Sequence, residues 1–466
     1  PPEVTPPEPG WWSLKVVGDV SVPRQRAGPE RPNMLVLCVD TLAARRTSLH
    51  GHGRDTTPRL SELAARGTTF HAASSPSSWT LPSTASLLSG LPPNTHGVLG
   101  DGREYLMDAL VTWPELLRDE GLDGLAVVGN ALVVAASNFD QGFGRFEHDP
   151  GEHGDDVDAA DLNAHLFHWL DEQPDGARWF AYVHSMDPHA PYGAPDRPRR
   201  FAPSDYVERR SFAGHLPGQH QRGELVPPLA PDEQGYIADL YDAEVAYADA
   251  RGGGLLGGLA ARGMLENAVV VVTADHGEAL FEHGGLGHGY DLSEVMLHVP
   301  LVLAGPGVPA GEVVETPVTT AAVHATLLRL AGLTPLPGTA RALLPLRDVR
   351  RRAEPVYALT RTRLFGPQRT LVSVRDAAGR KLRLELDEAD GSVRARTTAQ
   401  LDEDPLELQA AEVESLTGAF AELEQGALRW FRESAEARPA QARPEIDNAA
   451  ALKQIGYGGH DQEGDG

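Results

Sequence analysis

Three short stretches of this chain carry side chains that could do chemistry together. The first is VVVVTADHGE at residues 269–278, where an apolar run ends in Asp275 and His276. The second is MLVLCVDT at residues 34–41, which ends the same way at Asp40. A carboxylate beside an imidazole, with Gly277 allowing close approach, is half of a metal site. A second carboxylate delivered to the same rim would extend it. The third stretch is SWTLPSTASLLSG at residues 78–90, a loop running into a helix. Pro82 suits the first helical turn and places Thr80 just upstream of it. A hydroxyl there either caps the helix or serves as a metal-activated nucleophile, and local sequence alone favours the cap.

The elements around these residues must bring them together. Val269 to Val272 and Met34 to Val39 read as strands buried on both faces, as in a parallel sheet. In open α/β sheets the carboxyl ends of such strands bind ligands. From Pro32 onward strands and helices alternate. Strands are expected at 34–39, 125–128, 179–183, 268–273 and 299–303, and helices at 57–66, from about Pro82, at 159–170 and at 233–250. This alternation predicts a mostly parallel central sheet with helices on both faces. Residues 193–232 read as an irregular insertion rich in Pro, Arg and Gly.

Flanking segments have a different character. Residues 1–30, opening PPEVTPPEPG, read as a Pro-rich tether that Trp11 and Trp12 could pin down. After about residue 350, short antiparallel strands at 370–375, 381–387 and 392–397 precede a helix over about 409–433. Leu416, Phe420, Leu423, Leu428 and Phe431 form its apolar face. The expected division is therefore a catalytic domain at 31–350, a small α+β subdomain at 351–435 and a tail at 436–466.

Composition narrows the partners. The net charge of −25, from 41 basic and 66 acidic residues, argues against nucleic acid. No apolar run reaches the ~18 residues a transmembrane helix needs. Cys38 is the single cysteine, so no intrachain disulfide forms, and its place in an apolar strand predicts a buried thiol. The chain begins at Pro1, so an upstream segment is expected to have been removed or omitted, and the sequence does not show whether it was a signal or lipoprotein peptide. The compartment stays open, with a periplasmic or exported location as one reading.

Residues 39–90, from VDTLAARRTSLHGHGRDTTPRL to STASLLSG, resemble the opening of the sulfatase family, within the alkaline-phosphatase superfamily. VHSMDPHAPY at 183–192, the segment 269–307 and VTTAAVHATLLRLAGL at 318–333 agree in the same order, and LKQIGYGG at 452–459 is similar to a C-terminal segment of bacterial members. The resemblance implies an alkaline-phosphatase-like α/β sandwich, metal ligands at Asp40, Asp275 and His276, and the nucleophile position at Thr80. It implies acid/base work for His189, with His184 nearby, and places His288 beside the leaving oxygen. The substrate implied is a small anionic ester.

Two departures from the family pattern bear on mechanism. The sulfatase signature starts with Cys or Ser, converted to formylglycine, and carries an arginine four residues later; here Thr80 and Thr84 stand at those places. No formylglycine is expected. His276 replaces the asparagine usual in calcium sulfatases, so among Ca, Mn and Zn the imidazole favours Zn or Mn. Thr80, the Asp275-His276 pair and the HGY string at 288–290 also resemble phosphodiesterases of the same superfamily, in which Asp187 and His189 would be further ligands. Two functions are thus expected: hydrolysis of a sulfate or phosphate ester, or phosphodiester cleavage and headgroup transfer. A silent binding protein on the same scaffold is the third reading.

Overall fold

The computed structural model describes residues 27–100, 105–149, 158–193, 199–208, 216–221, 223, 225, 228–362, 369–387 and 389–439. Most of the expected tether and tail, including Trp11, Trp12 and the 452–459 segment, lies outside them.

Eight strands form the central sheet: β1 (Asn33–Val39), β2 (Gly67–Phe70), β3 (Asp123–Val128), β4 (Arg145–His148), β5 (Trp179–Ser185), β6 (Ala268–Thr273), β7 (Leu301–Ala304) and β8 (Glu312–Val314). Their spatial order is β8-β2-β7-β6-β1-β5-β3-β4. Every pairing is parallel except those of β7, which runs against both β2 and β6. The strand expected at 299–303 is thus β7, shifted by one to two residues and reversed in direction.

Alternation along β1 assigns the two layers. Met34, Val36 and Cys38 face one core, which α2 (Thr80–Ser89) closes with Leu81, Ala85 and Leu88 and α5 (Ala322–Leu330) with Val323 and Leu327. Leu35, Leu37 and Val39 face the other, closed by α1 (Pro58–Ala64), α3 (Ala159–Asp171) and the 31-residue α4 (Pro231–Ala261). Both faces of the central strands are therefore dry, which explains their uninterrupted apolar sequence. Within the expected insertion, Leu216–Gln221 is helical and α4 begins at Pro231, while much of the remainder is outside the described residues.

The small subdomain is an antiparallel sheet of β9 (Val356–Thr362), β10 (Arg369–Arg375), β11 (Arg380–Leu386), β12 (Val393–Gln400) and β13 (Ala411–Glu412), packed on α6 (Gly418–Glu436). The helix expected from 409 begins nine residues later, because Ala411 and Glu412 pair with β12 instead. Buried ions join this unit to the main domain. Lys381 Nζ on β11 lies 2.7 Å from Glu294 and 3.1 Å from Glu407, and Arg375 reaches Glu294 at 3.0 Å.

Candidate active site

The rim forms where β5, β1 and β6 end side by side. Asp40 follows β1, its amide bonded to Ser185 O at 2.9 Å, and Asp275 follows β6 by two residues. Both carboxylates are buried. Asp275 Oδ1 accepts the amides of Thr41 at 3.2 Å and His276 at 2.8 Å, while Ser75 Oγ donates to its carbonyl. Thr41 sits in the left-handed region at φ 57°. Tyr241 of α4 holds that turn, donating to Thr41 O at 2.6 Å and accepting from Ala43 N at 3.1 Å.

All seven residues expected at the site converge. His276 Nδ1 donates to Gly277 O at 3.0 Å, which turns Nε2 inward. That nitrogen lies 3.3 Å from Asp275 Oδ2, 4.0 Å from Asp40 Oδ1 and 3.2 Å from Thr80 Oγ1. Thr80 is the first residue of α2 rather than lying upstream of it; Trp79 occupies the cap, and no side chain caps the helix. The hydroxyl therefore faces the rim and not the helix amides. The ring of His288 lies 4.3 Å from that of His276 and 5.3 Å from that of His189, centroid to centroid, tilted against both. His189 Nδ1 donates to Ala190 O at 2.6 Å. His184 lies deeper, on β5, with Nε2 3.3 Å from Asp40 Oδ2 and Nδ1 2.9 Å from Tyr182 Oη. It faces the carboxylates and makes no contact with Thr80 among those observed. Asp187 instead accepts the amide of Ala159 at 3.3 Å, at the start of α3.

The donor set fits a divalent cation. Asp40, Asp275 and His276 each offer a ligand atom within 4.8 Å of the others. Asp40 Oδ1 and Asp275 Oδ2 are buried oxygens that accept no hydrogen bond, an expensive state for a carboxylate unless a cation faces it. Electrostatics agree. Burial and the charge on Asp40 push the Asp275 carboxyl up. Burial also opposes charge on Asp40, yet the facing imidazoles of His184, His189 and His276 hold it well below the usual range. Burial opposes charge on His276 too, but Asp275 and Asp40 outweigh it and raise that imidazole. Burial lowers His189, and burial with His276 lowers His288 strongly.

Sequence reasoning missed several supporting residues. Asn130, in the loop after β3, donates to Asp40 Oδ2 at 2.7 Å. Glu278 is buried behind His288, its Oε1 3.1 Å from Nδ1, and burial pushes its carboxyl up to about 7. The Trp79 ring lies 5.3 Å from that of His288. Only Glu278 left a signal, being an acid within three residues of Asp275.

A mixed sheet between helical layers, with carboxylates and imidazoles at the carboxyl edge of its central strands and a small antiparallel subdomain attached, is an alkaline-phosphatase-like sandwich. The family described as Sulfatase matches residues 32–333, and the chain belongs to this family of ester hydrolases. It is 24% identical over 388 residues to a sulfatase of Formosa agariphila, covering 71% of this chain and 75% of that protein. It is 26% identical over 444 residues to the choline-sulfatase of Rhizobium meliloti, covering 81% and 82%. The fold also matches the phosphonate monoester hydrolase of Agrobacterium radiobacter with a TM-score of 0.64 at 21% identity, over 89% of this chain and 100% of that one. Among the described residues, no helix is long and apolar enough to cross a membrane.

Proposed function

We propose that the protein cleaves a small anionic ester of sulfuric or phosphoric acid, using a divalent cation at Asp40, Asp275 and His276 and the hydroxyl of Thr80 as nucleophile. The observation that carries this reading is Thr80 Oγ1 at 3.2 Å from His276 Nε2, directed at the rim and free of a capping role. A bound cation would lower the pKa of a neighbouring hydroxyl and offset the charge of the ester oxygens. The imidazole in the donor set favours zinc or manganese over calcium.

Thr80 Oγ1 attacks sulfur or phosphorus in line with the departing oxygen and forms a covalent ester on the protein. The proton that leaves Thr80 Oγ1 is taken up by His189 or His288, whose rings burial keeps neutral, and is passed to the leaving oxygen. Trp79 and the buried setting of both rings limit the water that competes for that proton. Water then attacks the same centre and frees Thr80. This second displacement distinguishes a threonine ester from a formylglycine ester, whose second hydroxyl can expel the anion without it. Thr80 thus tilts the reading toward phosphorus, and phosphodiester cleavage or transfer of a headgroup to an acceptor alcohol is the second reading.

The test compares Thr80→Ala and Asp275→Ala on nitrophenyl sulfate, nitrophenyl phosphate and a bis-nitrophenyl phosphodiester. Loss of turnover in both is expected. If Thr80→Ala keeps near-native turnover while Asp275→Ala loses it, water is the attacker and the covalent route is wrong. A dialysed protein that holds no metal and cleaves none of the three esters would leave a binding role.

A further inference from the structure

One step below the rim, the same three strands carry a second group of donors. Residues two apart on a strand share a face, so Cys38 lies directly beneath Asp40 on β1. The register sets Cys38 opposite His184 on β5 and opposite Thr273 on β6, two residues before Asp275. Cys38 Sγ, a ring nitrogen of His184 and a carboxylate oxygen of Asp275 lie within 4.8 Å of one another, all buried. His184 Nε2 and Asp275 Oδ2, in residues only 0% and 2% exposed, form no hydrogen bond and have only ion-pair neighbours, the nearest being Asp40 Oδ2 and His276 Nε2, each at 3.3 Å. Those long contacts leave both atoms under-satisfied in a dry interior, and a cation between them and Cys38 Sγ would satisfy them more fully. Tyr182 Oη, 2.9 Å from His184 Nδ1, fixes the ring that presents Nε2, as an outer partner does for a metal-bound histidine.

We propose that Cys38, His184 and Asp275 form a second cation position, suited to a thiophilic divalent ion such as zinc. It lies beneath the position at Asp40, Asp275 and His276 and shares Asp275 with it. Thiolate and imidazole are good ligands for zinc, cobalt and cadmium and poor ones for calcium or magnesium. As the sulfur–metal bond forms, the Cys38 thiol proton leaves to solvent. The shared carboxylate couples the two positions, because an ion below fixes the orientation of Asp275 above. This position goes beyond the ester-hydrolase reading and does not depend on which ester is cleaved.

Cys38 is the single cysteine in the sequence, so any thiolate–metal signal belongs to it. The full chain, stripped with chelator, is titrated with cobalt(II) and followed by absorption and equilibrium dialysis. The expected result is a near-ultraviolet thiolate-to-cobalt charge-transfer band, with the Cys38→Ser protein losing that band and one equivalent of cobalt. Asp40→Ala should lose the other equivalent and keep the band. Absence of the band from the wild-type protein at saturating cobalt overturns the proposal, as does its survival in Cys38→Ser. The wild-type spectrum decides even if a variant misfolds. Failure of the upper position would show as an Asp40→Ala protein that binds as the wild type does, which is a separate outcome.

Discussion

Asn130 Nδ2 donates to Asp40 Oδ2 across 2.7 Å, and this bond determines which oxygen of Asp40 is left to face the site. The amide is itself fixed, since its Oδ1 accepts the Leu132 amide at 2.9 Å. Asp40 Oδ1 consequently has no hydrogen-bond partner and points toward His276.

Replacing Asn130 should therefore weaken cation binding while leaving the ligands intact. Asn130→Ala is expected to lower affinity by about 10–100-fold. Competition with a chromophoric chelator would measure it; unchanged affinity would mean that Asp40 is oriented by the backbone alone.

Gly277 presses against the chain that follows the rim. A Cβ there would sit 2.5 Å from the carbonyl oxygen of Val295 and 3.3 Å from Ala43 Cβ. Gly277→Ala should destabilise the fold by about 1–3 kcal/mol, because a carbonyl cannot swing aside as a side chain can. Urea unfolding followed by tryptophan fluorescence would test this, and turnover should fall because His276 moves with its neighbour.

Glu278 makes the metal-stripped protein sensitive to pH. Its carboxyl, raised by burial from 4.5 to about 7, holds a proton in the folded state that the unfolded chain has released. That contribution to stability is complete below pH 4.5 and declines as pH rises through 7, amounting to about 3 kcal/mol across the window. In Glu278→Gln the decline should become shallower, leaving the part that the raised Asp275 and His276 contribute. Denaturation midpoints collected between pH 4.5 and 8 on chelator-treated protein would show whether the two slopes differ.

Lys381 holds the subdomain on. Its ammonium is buried between Glu294 and Glu407 at 2.7 and 3.1 Å. Lys381→Met leaves Glu294 with Arg375 and Glu407 with Arg383, so the cost should fall at the lower end of the about 3–5 kcal/mol of a broken buried pair. Acid should act on the same joint, because Lys381 and Arg375 outweigh burial and hold Glu294 well below its ordinary 4.5. Its contribution is present above pH 4.5 and declines as pH falls below that value. Limited proteolysis should cut the variant first between residues 350 and 440; an unchanged pattern would show that the remaining contacts, Arg375 with Glu294 and Arg383 with Asp291 among them, hold the subdomain.

The rim was legible in the sequence because its strands are dry on both sides. Four consecutive valines before Asp275, and MLVLCV before Asp40, leave little room for another reading. Thr80 was located, but Pro82 pointed to a helix start two residues late, since proline is at home anywhere in the first turn. β4 was invisible because it is an edge strand whose residues are all partly or fully exposed, so it lacks an apolar pattern. The start of α6 was misplaced because Ala411 and Glu412 suit a helix equally well, and only their pairing with Thr398 and Thr397 makes them a strand. Asn130 could not be found at all. Its role depends on a loop bringing it against a carboxylate 90 positions away, a relationship that leaves no local trace.

Thr80 and the acidic residues belong to different secondary-structure elements. Asp40 and Asp275 extend from neighbouring strands of one sheet, whereas Thr80 opens a helix laid across that sheet. A substitution at position 80 thus changes the group that faces the rim without disturbing the backbone that fixes the carboxylates. The group offered to a bound ester and the carboxylates beneath it can therefore be varied separately.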